Sequence, residues 1–383
     1  VGSLQDQLML DNGKTENSAR AASASQQLNA IMPAVAELQG LCDKYVGQLE
    51  ENLRKQGYHK LNFDKLTKEQ EHFWKKYFEA ELFPLLSPQI IDHRHPFPFL
   101  RNQEIYLGVT LKTKGDSESS FGIIPISSQF ERVLYLQRDG MLWYALVEEL
   151  IAHYAPIAFG RWTVQKRCLF RVTRNADITP DEGLMDQDID YREIMTELLK
   201  KRRKLAAVRI QFWPEAPQEI QHFLCQKLFL TGKRCFVQQS PLDLSCLFRL
   251  ASRLASDGHG ELCYPPARPI QPPAEYNLED QVQSRDVLLC YPYQSMRPFI
   301  KMLKRAAYDP DVLSIKMTLY RVARDSQIVQ ALVAAAENGK EVVTVVELRA
   351  RFDEQNNIDW SKQLEQAGCT VIYGFDNYKV HSK

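Results

Sequence analysis

The sequence lacks net charge: 48 Lys and Arg balance 48 Asp and Glu over 383 residues. No overall field draws the chain to nucleic acid or to an anionic membrane, so any polyanion site must be a local cluster. A CxxC pair is also missing. The eight cysteines, at positions 42, 168, 225, 235, 246, 263, 290 and 369, have no close histidine partner. That spacing gives neither a zinc site nor a disulfide framework, and it fits reduced, mostly buried thiols in a cytoplasmic protein. Long hydrophobic runs are absent too. The most apolar stretch, Met141 to Ala152, carries Glu148 and Glu149 and is far too short to span a bilayer, so any membrane association would be peripheral. Neither an initiator Met nor a charged-then-apolar leader opens the chain, and the expectation is a fragment cut at both ends.

What is present is ordinary for a folded protein, with 44% hydrophobic and 25% charged residues. The length exceeds what one core usually serves and predicts two or three domains. The polar stretch Asp11 to Ser18 reads as a loop. From Ala30 onward Ile31, Val35, Leu38, Cys42, Tyr45, Leu49 and Leu53 recur every three or four positions, which places them on one stripe of a helix that stops before Gly57. Such a stripe needs a partner, and the expectation is that it packs on a segment preceding Val1. Thr67 and Gln70 have capping-box spacing at the start of a second helix, whose face holds Phe73, Tyr77, Phe78 and Leu82 before Pro84.

The period then shortens. Ile105 to Leu111, Phe121 to Ile126, Arg132 to Gln137, Arg161 to Arg174 and Val208 to Phe212 read as strands, the last half-buried, while Met141 to Tyr154 and Ile189 to Lys204 read as helices. Strands and helices without strict alternation predict an α+β domain. Lys200 to Lys204 close the second of these helices, where cations on a solvated face complement the helix dipole; that reading is preferred over a polyanion contact. His93 and His95 have no third ligand nearby in sequence and read as loop histidines. Five prolines between Pro265 and Pro273, followed by the weakly periodic Glu275 to Gln283, mark a linker and a domain boundary.

Beyond the linker, strands at Asp286–Cys290, Val312–Val322, Glu341–Leu348 and Thr370–Tyr373 alternate with helices capped by Ser295 and Ser326 and stopped by Gly339 and Gly368. That order predicts a mostly parallel sheet with helices on both faces, and ligands bind such sheets beyond the carboxyl ends of the strands. Tyr291 and Tyr293 follow the first strand and Arg321 the second. Arg349, Arg351, Asp353 and Glu354 follow the third, and His381 and Lys383 the fourth. Arg321 and Arg351 could simply pair with Asp325, Asp353 or Glu354. Together with an HxK, however, they have the chemistry to handle phosphate. Arginine forks bind phosphoryl oxygens in pairs, and a neutral imidazole is a competent nucleophile toward phosphorus. Alternation along a strand would put His381 and Lys383 on one face.

The stretches Arg285 to Tyr293, Ile315 to Ala323, Val345 to Glu354 and Lys379 to Lys383 resemble the polyphosphate kinase family of the first type. So do Thr173 to Asp177 and Leu199 to Arg203. The resemblance implies a multidomain α/β protein: a helical N-terminal remnant at 1–57, an α+β head domain at 58–267, and an incomplete phospholipase D-like α/β domain at 268–383. It implies reversible transfer of the terminal phosphate of ATP to inorganic polyphosphate, with Mg2+ and a phosphohistidine intermediate, in a cytoplasmic homo-oligomer. His381 would be the nucleophile and Lys383 its supporting cation. Arg321 and Arg351 would form the magnesium–phosphate site through phosphate oxygens, since arginine cannot ligate a cation. The family's N-terminal asparagine motif and its second HxK domain are not within these residues, so the piece is expected to be inactive alone. Two alternatives stay open: a phospholipase D-like phosphodiesterase, and a non-catalytic module that docks polyphosphate or mediates assembly through Lys200 to Lys204.

Overall fold

Wherever apolar residues recur at every second position the chain builds sheet, and wherever they recur at every third and fourth it builds helix, with a few departures that have local causes. The computed structural model describes residues 1, 2, 4, 18–92, 95–112, 119–138, 140–175, 206–265, 267–347, 354–374 and 380. The chain divides into two compact units, Val1–Thr179 with Lys200–Cys263, and Pro180–Leu199 with Tyr264–Lys383.

In the first unit, helix α1 (Ser18–Lys55) starts earlier than the periodicity predicts and runs through Pro33. It buries Ala24, Leu28, Val46 and Leu53 but leaves Leu38 and Tyr45 each 60% exposed, so much of the expected stripe faces outward. Its anchor is polar: the Asp43 carboxylate accepts from the Ser240 N–H (2.9 Å), the Ser240 hydroxyl (2.6 Å) and Gln39 Nε2 (3.2 Å). Burial works to raise the Asp43 pKa, but these donors hold it below the usual carboxylate range. Gly57, at φ +84°, ends the region, and β1 (Tyr58–Lys60) follows. Helix α2 (Lys68–Tyr77) opens on the expected capping box, with the Thr67 hydroxyl accepting from Gln70 N–H and the Gln70 side chain accepting from Thr67 N–H.

Two sheets follow. The larger has the order β2 (Gln89–Ile91), β4 (Ser120–Ile126), β3 (Ile105–Lys112), β7 (Thr163–Arg174), β8 (Ala207–Trp213), β9 (Cys235–Val237), antiparallel except for the last pair. Its central strands are buried on both faces: Leu107, Val109 and Leu111 join one core with Trp74, Leu146 and Leu150, while Tyr106, Phe170 and Phe212 join another with Ile220 and Leu224. The half-buried pattern expected for Val208 to Phe212 is therefore not met, because each face of that sheet is covered. Gly122 permits the fit: a Cβ there would lie 2.7 Å from both Phe159 and Val109 side chains. Helix α4 (Gln218–Lys227) covers one face.

The second sheet is β1–β6–β5, and it corrects the sequence reading. Met141 to Leu146 is not the first part of a helix but strand β6, paired antiparallel with β5 (Val133–Arg138) across Gly140 at φ +75° and parallel with β1. Only Val147–His153 (α3) is helical. A continuous apolar run fits a buried strand or a buried helix equally well, and pairing with β1 on one side and β5 on the other makes it the strand. The wholly buried Glu148 carboxylate takes three bonds from Arg132 (Nε at 2.8 and 3.0 Å, Nη2 at 2.5 Å), and Arg132 also bridges to Asp243 at 3.1 Å. Helix α5 (Cys246–Ser256) closes this side.

In the second unit the linker is irregular up to Asn277, whose side chain accepts from Glu279 N–H and starts helix α6 (Leu278–Ser284), where no helix was expected. The strand expected at Asp286–Cys290 does not form. Leu288 is 90% exposed, and the segment instead turns at Cys290–Gln294 (2.9 Å), with Ile270 bridging Gln294. Helix α7 (Arg297–Ala306) begins after Met296, and Ser295 contributes only a bond from Arg297 N–H at 3.2 Å. From there the expected order holds. Strand β10 (Ser314–Leu319), helix α8 (Gln327–Glu337), strand β11 (Glu341–Val346), helix α9 (Glu354–Gln366) and strand β12 (Thr370–Ile372) make a three-stranded, wholly parallel sheet in the order β10–β11–β12. Ser326 caps α8, and Gly339 and Gly368 sit at φ +80° and +90° after the helices. Leu303, Ile315, Val329, Leu332, Val342, Ile358 and Leu364 form the core.

All eight cysteines are free, but only Cys168, Cys246 and Cys369 are buried, and Cys290 is exposed. The helix expected at Ile189–Lys204, with its basic end, lies outside the described residues.

Candidate phosphate-handling edge

The three strands of the second unit run in one direction, so Leu319, Val346 and Ile372 end at one edge. There the chain must leave the sheet, and its freed carbonyls need donors. Helix α9 supplies them. Asn357 Nδ2 donates to Tyr320 O (2.7 Å) and Glu347 O (2.9 Å), Asn356 Nδ2 donates to Val322 O (2.6 Å), and Trp360 Nε1 donates to Ala323 O (3.0 Å). Three side chains of one helix thus fix the backbone on both sides of Arg321, whose guanidinium is exposed, 5.9 Å from the Tyr320 ring centroid. Asp325, one of the acids that could have paired with Arg321, accepts from Gln330 Nε2 at 2.9 Å.

Glu347 is the second anchor. It follows β11 directly, is only 5% exposed, and its own N–H donates to Leu319 O at 3.1 Å. Its Oε2 accepts the Val380 N–H at 3.0 Å. Val380 is buried and is the residue immediately before His381. The carboxylate therefore brings the neighbour of His381 to the edge that presents Arg321. Arg349, Arg351, His381 and Lys383 themselves lie outside the described residues.

Asn357 is wholly buried, and its Oδ1 has no hydrogen-bond partner among the described residues. Sequence reasoning missed Glu347, Asn356, Asn357 and Trp360. One signal was available: Asn357 and Ser361 sit one turn apart among Ile358 and Leu364 on the core-facing stripe of a helix, and polar residues in such places are there to satisfy something. Tyr291, expected at this rim, has its phenol pKa raised by burial, but it sits within the Cys290–Gln294 turn rather than after a strand.

Other charged clusters have structural readings. Lys60 Nζ lies 2.9 Å from Glu50 and 3.5 Å from Glu149, and burial pushes Glu149 up to about 7 against the pull of Lys60. His95 Nδ1 meets the Asp92 carboxylate at 2.8 Å on an exposed loop; His93 lies outside the described residues. Among the described residues no group of three or more His, Cys, Asp or Glu could hold a metal ion.

Two family matches cover these regions. The polyphosphate kinase middle domain matches residues 69–250, and polyphosphate kinase C-terminal domain 1 matches residues 277–383. The chain belongs to the polyphosphate kinase family. It is 38% identical over 395 residues to a polyphosphate kinase of Bacillus cereus and 39% identical over 392 residues to one of Halalkalibacterium halodurans, in each case over 100% of this chain and 55% of the relative. A Campylobacter jejuni polyphosphate kinase is 34% identical over 97% of the chain and 53% of its own length. The chain thus spans about half the length of the polyphosphate kinases it matches. A crystal structure of polyphosphate kinase from Porphyromonas gingivalis superposes with a TM-score of 0.72 at 24% identity, over 99% of this chain and 56% of that one, which supports the mixed α/β fold with several sheets. The C-terminal domain 1 match takes in the parallel sheet and all four expected site residues.

Proposed function

We propose that this chain is the part of a polyphosphate kinase that carries the phosphorylated histidine, and that the whole enzyme reversibly transfers the terminal phosphate of ATP to inorganic polyphosphate. The observation that carries the reading is the 3.0 Å bond from Val380 N–H to buried Glu347, beside the fixed backbone of Arg321. In the forward direction a ring nitrogen of His381 attacks the terminal phosphorus in line, the nitrogen–phosphorus bond forms, and the bond to the bridging oxygen breaks as ADP leaves. The terminal phosphate of a polyphosphate chain then attacks the phosphohistidine, lengthening the chain by one and freeing the ring. Arg321 and Arg351 hold phosphoryl oxygens as their charge grows, and Lys383 does the same beside His381. Magnesium enters with the ATP phosphates, as part of the substrate.

On this reading residues 1–57 are helical N-terminal domain, 58–267 the head and 268–383 a phospholipase D-like catalytic domain. The break between the compact units, at Cys263 and Tyr264, supports the second boundary. A cytoplasmic homo-oligomer is the proposed state. No helix among the described residues is long and apolar enough to cross a membrane. In the full-length enzyme His381→Ala should abolish both ADP formation and chain growth; chain growth at the wild-type rate would overturn the assignment.

A further inference from the structure

A second basic site lies on α7, away from the residues given roles above. A cavity of about 770 Å3 is lined there by Arg297, Lys301, Lys304, Arg305, Tyr308 and Gln327. The four cations fall on one face, spaced by four, three and one, so they cover about 12 Å of helix at 1.5 Å per residue. Helix stability does not explain the arrangement. Arg297–Lys301 and Lys301–Arg305 are like-charge pairs one turn apart, which destabilise a helix. Arg297 is also the first helical residue, where the helix dipole opposes a cation.

Partners answer only part of the charge. Arg305 Nη1 meets Glu279 Oε2 at 2.9 Å, and Lys304 Nζ donates to Gln327 Oε1 at 3.0 Å. Asp309 is the one acid in the lining. Among the described residues the side chains of Arg297 and Lys301 make no hydrogen bond or ion pair. In a chain of zero net charge, this is a local surplus of positive charge in a groove. The groove reaches Gln327, the first residue of the helix that leaves the carboxyl end of β10 through Arg321.

We infer that the α7 groove is a docking site for an inorganic polyphosphate chain, holding a stretch of the polymer beyond the phosphate that reacts; the choice of ligand rests on the proposed function. A membrane surface fits less well. The apolar side of α7, with Leu303 and Ala307, is turned into the core, which leaves no face for insertion among acyl chains.

The test uses the 383-residue chain and long-chain inorganic polyphosphate, with binding followed across a salt series. Arg297→Glu with Lys301→Glu should weaken binding at least about tenfold and flatten the slope of log affinity against log salt by about two, one for each cation removed. Lys301→Ala alone should give a smaller loss in the same direction, and Lys227→Glu with Lys233→Glu, on the other unit, should change little. The proposal falls if the chain does not bind polyphosphate, if the α7 variants bind as wild type, if the Lys227/Lys233 control loses as much, or if vesicles containing anionic lipid compete as strongly as polyphosphate. His381→Ala should leave this binding intact. Loss of binding in the α7 variants, combined with no phosphoryl transfer by the full-length wild type, would keep the groove and reject the reading of the catalytic edge.

Discussion

Glu347 is a buried carboxylate, and a buried charge must be met by donors or it is expelled. It accepts from Val380 N–H while its backbone is tied to Leu319 and Asn357, so its position is set from three sides before any substrate arrives. A nucleophile displaced by about 1 Å can lose roughly a hundredfold in rate. In the full-length enzyme Glu347→Ala is therefore expected to lower turnover by about that factor while the KM for ATP moves much less. Glu347→Gln keeps an oxygen able to accept from Val380 and should retain more turnover than the alanine variant. Wild-type turnover in Glu347→Ala would show that the bond does not position His381. At this scale the sequence was half legible. That Arg321 follows a strand end was readable from the alternation of the chain, whereas Glu347 reads as part of an apolar strand until Val380, 33 residues on, is seen to fold back on it.

Among elements, the parallel sheet was readable because Val342, Val343, Val345 and Val346 put valines on both faces of the strand and because Ser326, Gly339 and Gly368 mark helix ends locally. The misread elements were those decided by pairing. Met141 to Leu146 is a strand because β1 and β5 offer edges on both sides of it, and Asp286 to Cys290 is not a strand because no neighbour among the described residues pairs with it. The outward stripe of α1 is a third case, where spacing gave the helix but not what covers it. The link between β5, α3 and the Leu242–Ser245 segment is Arg132. Arg132→Ala would leave Glu148 buried without its partner, which costs about 3–5 kcal/mol. The expected outcome is a clear drop in melting temperature relative to a surface control such as Arg249→Ala; equal melting temperatures would show that water replaces the guanidinium.

For the whole molecule, charge neutrality excluded a general polyanion surface and directed attention to local clusters. One such cluster, the α7 groove, stands in the second unit, and the strand-end edge of the same unit presents Arg321. The chain spans about half the length of these relatives, so activity is a question to put to the full-length protein, and binding can be asked of this piece. The most direct test of the central proposal is to expose full-length enzyme to γ-labelled ATP for a single turnover and to map the acid-labile phosphate by peptide mass spectrometry. Phosphate on His381, lost when polyphosphate is added as the label passes into the chain, is the predicted result. Phosphate on another residue, or transfer to polyphosphate with no phosphoenzyme, would contradict it.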